Sequence, residues 1–450
     1  MAIFTRRRIQ AMLNDLTRVL DEQKRSDIVN RLEDKKVEQS LPAEMELALT
    51  WLMKDFESLE IEPEWWQEKK PDIFVDDLLP GKSTAIEIKT VADNKISGER
   101  EMDHCSRALI EIANEVERGI GEYLYFHFTE RRVKDDKRRI VMREITAPSN
   151  YTPSEDTKRN VSQWIARKPA KGSRLPIDDN GLLVTIEKCD FKCTRFHNVH
   201  SPRPPRIYSD TRNPIYSQLK EGLKKFKTAP EDCYNVIFLA DGGSQTLSKL
   251  AEKYQSPNLE PHSTANDIIN RFVADAEGRV DAVVVFIPIK QFRSGFLQRP
   301  GYDKKWGVVV FGFNNELNQD LFRKLEKLAE NLPNPRYTAL QARSLTRQGA
   351  MKHDSRGHYL STKFEWINHE MTCKISSRVF HEFLAGKIDE ERFRYLIGEQ
   401  NSGSILKKHL ENGYTIRATR FEPGGIDEDD DYIVLEFDQF QKDPAASKFS

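Results

Sequence analysis

At 450 residues the chain exceeds one typical core, and 70 Lys and Arg against 71 Asp and Glu leave a net charge of −1, so no global basic field marks a nucleic-acid partner. Charged residues reach 31% and mean hydropathy is −0.65, while no apolar run approaches the ~20 residues of a membrane-spanning helix. Five scattered cysteines exclude a disulfide scaffold and favour a reducing compartment. The opening segment MAIFTRRRIQAML carries no secretory signal pattern, so the expected location is the cytoplasm and no membrane partner is expected.

Taken in order, residues 1–60 read as helical. Ile9, Met12, Leu13, Leu16, Val19 and Leu20 recur at helical spacing, and Met45, Leu49, Leu52 and Phe56 repeat the pattern. Residues 71–90, PDIFVDDLLPGKSTAIEIKT, hold two β-capable runs around a Pro80-Gly81 turn and predict a hairpin. A helix over 102–116 and an aromatic strand over 122–129 follow. Residues 146–205 read as a basic connector rather than a second core. An α/β pattern resumes over 206–335, with helices at 215–226, 246–254 and 265–274, and apolar strands at 235–240, 280–289 and 306–313. A charged helix and the break at Leu332-Pro333-Asn334-Pro335 close that region. Residues 336–450 mix strands and helices around an acidic turn, 427–431, read as solvated surface.

The chemistry concentrates in the hairpin. Side chains alternate along a strand, so Ala85, Glu87 and Lys89 share one face, with Glu87 and Lys89 about 6–7 Å apart. Asp72 begins the partner strand. Two acids and a lysine on one face suit metal-assisted attack on a phosphodiester. Mg²⁺ prefers carboxylate oxygens and keeps several waters, so Asp72 and Glu87 are its natural ligands, with the Ile88 carbonyl as a third. Lys89 would stabilise charge building on phosphorus, or act as a base if its pKa were lowered. Asp76 and Asp77 compete with Asp72, but their place beside Pro80-Gly81 marks them as turn residues.

Pro71-Asp72 followed by Glu87-Ile88-Lys89 resembles the signature of the PD-(D/E)xK nucleases, the restriction-endonuclease-like superfamily. The surrounding order of helix, strand, hairpin, helix and strand, over residues 40–130, resembles that family's core. The resemblance implies an N-terminal αβββαβ domain (1–145), followed by the connector (146–205), a second α/β domain (206–335) and an α+β region (336–450). It implies an acid on the preceding helix, Glu46 in preference to Glu44, and an Mg²⁺-dependent (or Mn²⁺-dependent) endonuclease acting on DNA, with RNA as the alternative substrate. It further implies a homodimer, or a partner protein in a prokaryotic restriction or anti-phage complex. The rival reading is a non-catalytic nucleic-acid-binding or scaffold subunit that keeps the fold.

Other candidates carry less. Basic density beyond the hairpin, including Arg138, Arg139, Lys224 and Lys225, would contact phosphates without reading sequence. Cys189, Cys193, His197 and His200 have zinc-binding residue types but lack the usual long loop between ligand pairs. The strand-to-helix run Leu239-Ala240-Asp241-Gly242-Gly243-Ser244 offers either a phosphate cradle or, more simply, a tight turn. His353, Asp354 and His358 read as surface residues.

Overall fold

The computed structural model describes residues 3–34, 37–67, 69–93, 98–135, 140–189, 199–200, 207–251, 263–293, 301–335, 362–367, 370–390, 393–394, 397, 405–428 and 430–439. The protein is mixed α/β and divides into two compact units. One spans 12–351; the other joins 3–11 to 352–450. The N-terminal residues 3–11 therefore group with the C-terminal region rather than with the hairpin, against the expected 1–145 domain. Among the described residues no helix is long and apolar enough to cross a membrane, and Cys105, Cys189, Cys233 and Cys373 form no disulfide.

Helices α1 (Arg6–Asp15), α2 (Glu22–Glu33) and α3 (Val37–Leu52) precede the first strands. The main sheet then begins with β1 (Glu60–Ile61), β2 (Ile73–Leu79) and β3 (Lys82–Val91) as an antiparallel meander. Pro80 presets the first central position of the β2–β3 turn, and Gly81, at φ 85°, takes the left-handed second one. The register shifts between Val75 and Leu79. There Asp76 accepts from the Ser83 hydroxyl at 2.7 Å and Asp77 from the Ser58 hydroxyl at 2.6 Å. Both acids are thus spent on the irregular hairpin end.

The next strand of this sheet comes from far along the chain. Helix α4 (Glu99–Val116) and strand β4 (Leu124–Phe128) form where expected but leave the hairpin. With α5 (Glu155–Ala166), β7 (Arg174–Asp179), β8 (Leu182–Lys188) and β9 (Val199–His200), they build a separate sheet of order β7-β8-β4-β9. A hairpin of β5 (Glu130–Asp135) and β6 (Ile140–Ile145) lies between β4 and α5 in sequence. Leu109, Phe126, Val161, Ile165 and Ile186 join in one buried cluster, so residues 146–188 complete a second core and are not a connector. Ser154 caps α5, its hydroxyl accepting the Thr157 N–H at 3.2 Å.

Helix α6 (Pro214–Leu223) then returns the chain to the main sheet as β10 (Cys233–Asp241), parallel to β3 with Ile237 opposite Glu87 and Leu239 opposite Lys89. Helices α7 (Gln245–Ser248) and α8 (Ala265–Asp275) lead to β11 (Ala282–Arg293), which is paired to β12 (Gly301–Phe311), and α9 (Asn315–Ala329) follows. The six strands run β1-β2-β3-β10-β11-β12. Residues 206–335 are therefore not a separate α/β domain: they supply half of the hairpin's own sheet. One face, with Phe74, Ala85, Ile237, Leu239 and Val285, is buried under Leu219, Ile268 and Phe272 of α6 and α8. Helices α3 and α9 lie outside that cluster and cover the other face, with Lys324 of α9 over the Phe56 ring.

In the second unit, strands β13 (Lys363–Ile367), β14 (Glu370–Ser376), β15 (Tyr414–Glu422) and β16 (Tyr432–Gln439) form a sheet of order β13-β14-β16-β15 beside α10 (Ser377–Leu384). The acidic turn is built in rather than merely solvated. Asp430 accepts the Arg378 N–H at 2.9 Å and the Ser376 hydroxyl, capping α10. Asp431 accepts from Arg7 at 2.7 Å, and Asp427 takes two bonds from Arg8.

Candidate active site

The site grows from the point where β2 stops pairing with β3. Ile73 lies opposite Ile86, and the next residues toward the N-terminus are Asp72 and Pro71. Proline has no N–H for a ladder, so the backbone pairing ends there. The Asp72 side chain takes over the lost contact: its Oδ2 accepts the Ile88 N–H at 2.7 Å. In an antiparallel strand the N–H and C=O of one residue lie on the same edge, so the Ile88 carbonyl opens toward Asp72 as well.

The loop that delivers Asp72 is pinned from two sides. Trp66 is buried and Trp65 stands edge-on to Phe74 with ring centroids 4.8 Å apart. Lys225 and Thr228, in the 3₁₀ turn that follows α6, donate to the carbonyls of Lys70 and Gln67, each at 2.9 Å. Helix α6 can come this close because Gly222 faces the sheet. A Cβ there would lie 3.2 Å from Ile237 Cδ1 and 3.5 Å from both Glu87 Cγ and Lys89 Cγ.

Glu87 is fully buried, whereas Asp72 keeps part of its surface open. Lys89 Nζ lies 2.5 Å from Glu87 Oε1, and Lys225 Nζ approaches the same oxygen at 3.9 Å. Both contacts are ion pairs, and neither Glu87 oxygen accepts a well-aligned hydrogen bond among the described residues, although the Lys89 ammonium and the Asp72 N–H both act on the carboxylate. A buried acceptor without a donor is costly, and both ammonium groups make their closest approach to Oε1, so Oε2 is the oxygen turned away from them.

The titration of the cluster follows from burial and crowding. Burial pushes the Asp72 carboxyl well above the ordinary carboxylate range, and the charges of Glu87 and Glu46 push it further, against Lys89 and the Ile88 N–H. Burial also raises Glu87, outweighing Lys89 and Lys225. Burial opposes the charged form of Lys89, but Glu87, Asp72 and Glu46 together hold its pKa above the usual lysine value. Lys89 therefore stands as an ammonium. The alternative of a neutral amine base is not what this surrounding produces.

Of the two helix acids, Glu46 is the one whose charge acts on Asp72 and Lys89. Arg31 of α2 grips it as a fork, Nη1 reaching Oε1 at 3.1 Å and Nη2 reaching Oε2. Glu44 is fully buried on the same helix. Among the described residues no group of three or more His, Cys, Asp or Glu side chains is drawn up to hold a metal ion. The candidate centre is a carboxylate pair plus a backbone carbonyl. That set fits a hard cation that keeps most of its waters, and Glu87 Oε2, turned away from both ammonium groups, is the atom that fits best.

The expected nucleic-acid residues separate. Arg138 and Arg139 lie outside the described residues. Lys224 pairs with Glu221 at 2.6 Å on the surface, whereas Lys225 turns inward to the carboxylates. Part of the basic stretch is paired with nearby acids: Arg131 with Glu144, Lys158 with Glu155, Arg159 with Asp156, and Arg174 with Glu187. Cys189 ends β8 and donates its N–H to the Tyr123 carbonyl at 2.8 Å, and His200 sits in β9 opposite His127; Cys193 and His197 lie outside the described residues. His353, Asp354 and His358 lie outside them too. The turn after β10 is a closed structure, since Asp241 Oδ1 accepts the Gly243 and Ser244 N–H groups at 2.8 and 2.7 Å. Those amides are not free to cradle a phosphate.

Arg31 and the inward role of Lys225 have no mark in the sequence. Gly222, a glycine inside an amphipathic helix, is the one signal that α6 had to approach something closely. No protein-family model matches the chain, and no curated protein or solved structure is significantly similar to it.

Proposed function

We infer that the protein is a divalent-metal-dependent nuclease of the PD-(D/E)xK kind, hydrolysing phosphodiester bonds of DNA. Its core would be α3, the β1–β2–β3 meander, α6 and β10, interrupted by the second core at 99–188. The observation that carries the reading is Glu87: a fully buried carboxylate that accepts no well-aligned hydrogen bond among the described residues, directly across the sheet from Asp72, with the Lys89 ammonium 2.5 Å from Oε1. Nothing in folding alone rewards that arrangement, because like charges opposite each other in a sheet are destabilising and buried acids are costly.

Asp72, Glu87 Oε2 and the Ile88 carbonyl would hold Mg²⁺ or Mn²⁺. When bound, the cation supplies charge for the phosphate oxygens and acidifies the attacking water. Lys89 contributes a fixed positive charge where negative charge accumulates on phosphorus. Glu46, oriented by Arg31, acts through the field it adds at Asp72 and Lys89. Helix α6 closes the inner side of the cluster through Gly222, and substrate would approach at the partly exposed Asp72. A place in prokaryotic restriction or anti-phage defence, as a homodimer or within a complex, is the setting this chemistry suits.

The test is direct. Purified full-length protein with Mg²⁺ or Mn²⁺ is offered single- and double-stranded DNA and RNA. Cleavage that disappears in Glu87→Gln and Lys89→Met supports the reading. Binding of these substrates without cleavage would instead identify a nucleic-acid-binding subunit, and the nuclease reading would be abandoned.

A further inference from the structure

We propose that Lys225 is a positioning residue of the carboxylate site which, with Lys89, claims Glu87 Oε1 and limits the site to a single divalent cation. This rests on the metal-site reading above and deepens it. In a two-metal centre the ions stand about 3.5–4 Å apart and share carboxylate oxygens. Here both ammonium groups make their closest approach to the same Glu87 oxygen, Lys89 Nζ at 2.5 Å and Lys225 Nζ at 3.9 Å, which leaves Oε2 as the oxygen turned away from them for a metal. Lys225 is fixed there: its Nζ also donates to the Lys70 carbonyl at 2.9 Å, and its backbone follows directly from α6, which packs on Glu87 through Gly222. Swinging away would give up its bond to the Lys70 carbonyl, one of the contacts that hold the loop carrying Asp72.

Charge agrees with geometry. The three acids Asp72, Glu87 and Glu46 face three cations, Lys89, Lys225 and Arg31. One divalent ion brings the centre to a net charge of +2, which matches a phosphodiester together with an attacking hydroxide. A second ion would leave the excess uncompensated in a low-dielectric site.

The experiment counts Mn²⁺ bound per full-length chain by electron paramagnetic resonance of the free ion, with no nucleic acid present. Wild type should bind one. Lys225→Met should bind two, and Lys225→Arg should stay at one. Thr228→Ala removes a neighbouring tether of the same loop but no charge, and should also stay at one, which separates positioning of charge from loosening of the loop. If Lys225→Met does not fold, Lys225→Gln keeps a donor for the Lys70 carbonyl and should likewise bind two. Two Mn²⁺ on wild type, or one on the neutral variants, overturns the single-cation assignment while the nuclease reading stands. No Mn²⁺ on wild type is a different result: it removes the metal site itself and the assignment with it.

Discussion

Two buried acids on neighbouring strands of one sheet have opposite fates. Asp241 ends β10 and is spent on structure: Oδ1 accepts two backbone N–H groups, and Oδ2 takes the Ser248 hydroxyl at 3.0 Å. Glu87, on β3 alongside, is equally buried, accepts no hydrogen bond among the described residues, and shares one oxygen between two lysines. Burial alone does not mark a functional acid. What distinguishes Glu87 is that the fold surrounds it with charge and gives it no well-aligned hydrogen bond among the described residues.

The largest expected effect on activity comes from Glu87→Gln. Metal-dependent cleavage should fall by at least about 10²–10³-fold, the scale on which lost electrostatic stabilisation of a transition state is felt, while denaturant unfolding shows stability held or raised. Asp241→Ala should do the reverse. Leaving the Gly243 and Ser244 amides without an acceptor should cost about 3 kcal/mol in denaturant unfolding, with the acids of β2 and β3 untouched. If Glu87→Gln proves the more destabilising of the two, the contrast collapses.

Asp72 supplies the next test. A carboxyl whose folded pKa is raised gives stability that is full below its unfolded pKa and is lost as pH rises through the raised value. Metal-free protein should therefore lose stability with rising pH across that interval, and Asp72→Asn should flatten the profile and gain about 1 kcal/mol at pH 7. The same proton competes with metal. Mn²⁺ affinity should fall as pH drops below the raised value, by about tenfold per pH unit for one displaced proton, measured by calorimetry; a flat profile would mean that Asp72 is not a ligand.

The acidic turn of the other unit repeats the contrast on a smaller scale. Asp430→Ala strips the cap of α10 and should cost about 2 kcal/mol. Asp427→Asn breaks a mostly exposed pair with Arg8 and should cost under about 0.5 kcal/mol.

The local parts of this site were legible in the sequence. Period-two alternation and a Pro-Gly turn are short-range signals, so the hairpin and the trio Asp72, Glu87 and Lys89 could be read directly. The apolar strands at 235–240 and 280–289 were also visible, but their membership of the same sheet was not. Parallel pairing of β3 with β10 is set by packing between distant segments and leaves no mark on either. The second core was hidden for a different reason. Residues 153–167 are rich in charge, and the stripe of Val161, Trp164 and Ile165 is thin, so composition outweighed periodicity. Lys225 was read as a surface cation because nothing local tells which way a long side chain turns.

The pairing of Glu87 with Ile237, about 150 residues later in the chain, has a consequence for how the protein is made. On the ribosome the hairpin with both acids emerges early, as the bare edge of an unfinished sheet. The segment from α4 to β8 has its own buried cluster and can fold while the hairpin waits, which shortens the loop that must later close. Only when α6, Lys225 and β10 have emerged does the strand bearing Glu87 and Lys89 gain its second neighbour and its roof. A truncated translation product thus carries every acid of the centre without the helix that roofs Glu87, so the competence of the site is tied to completion of more than half the chain.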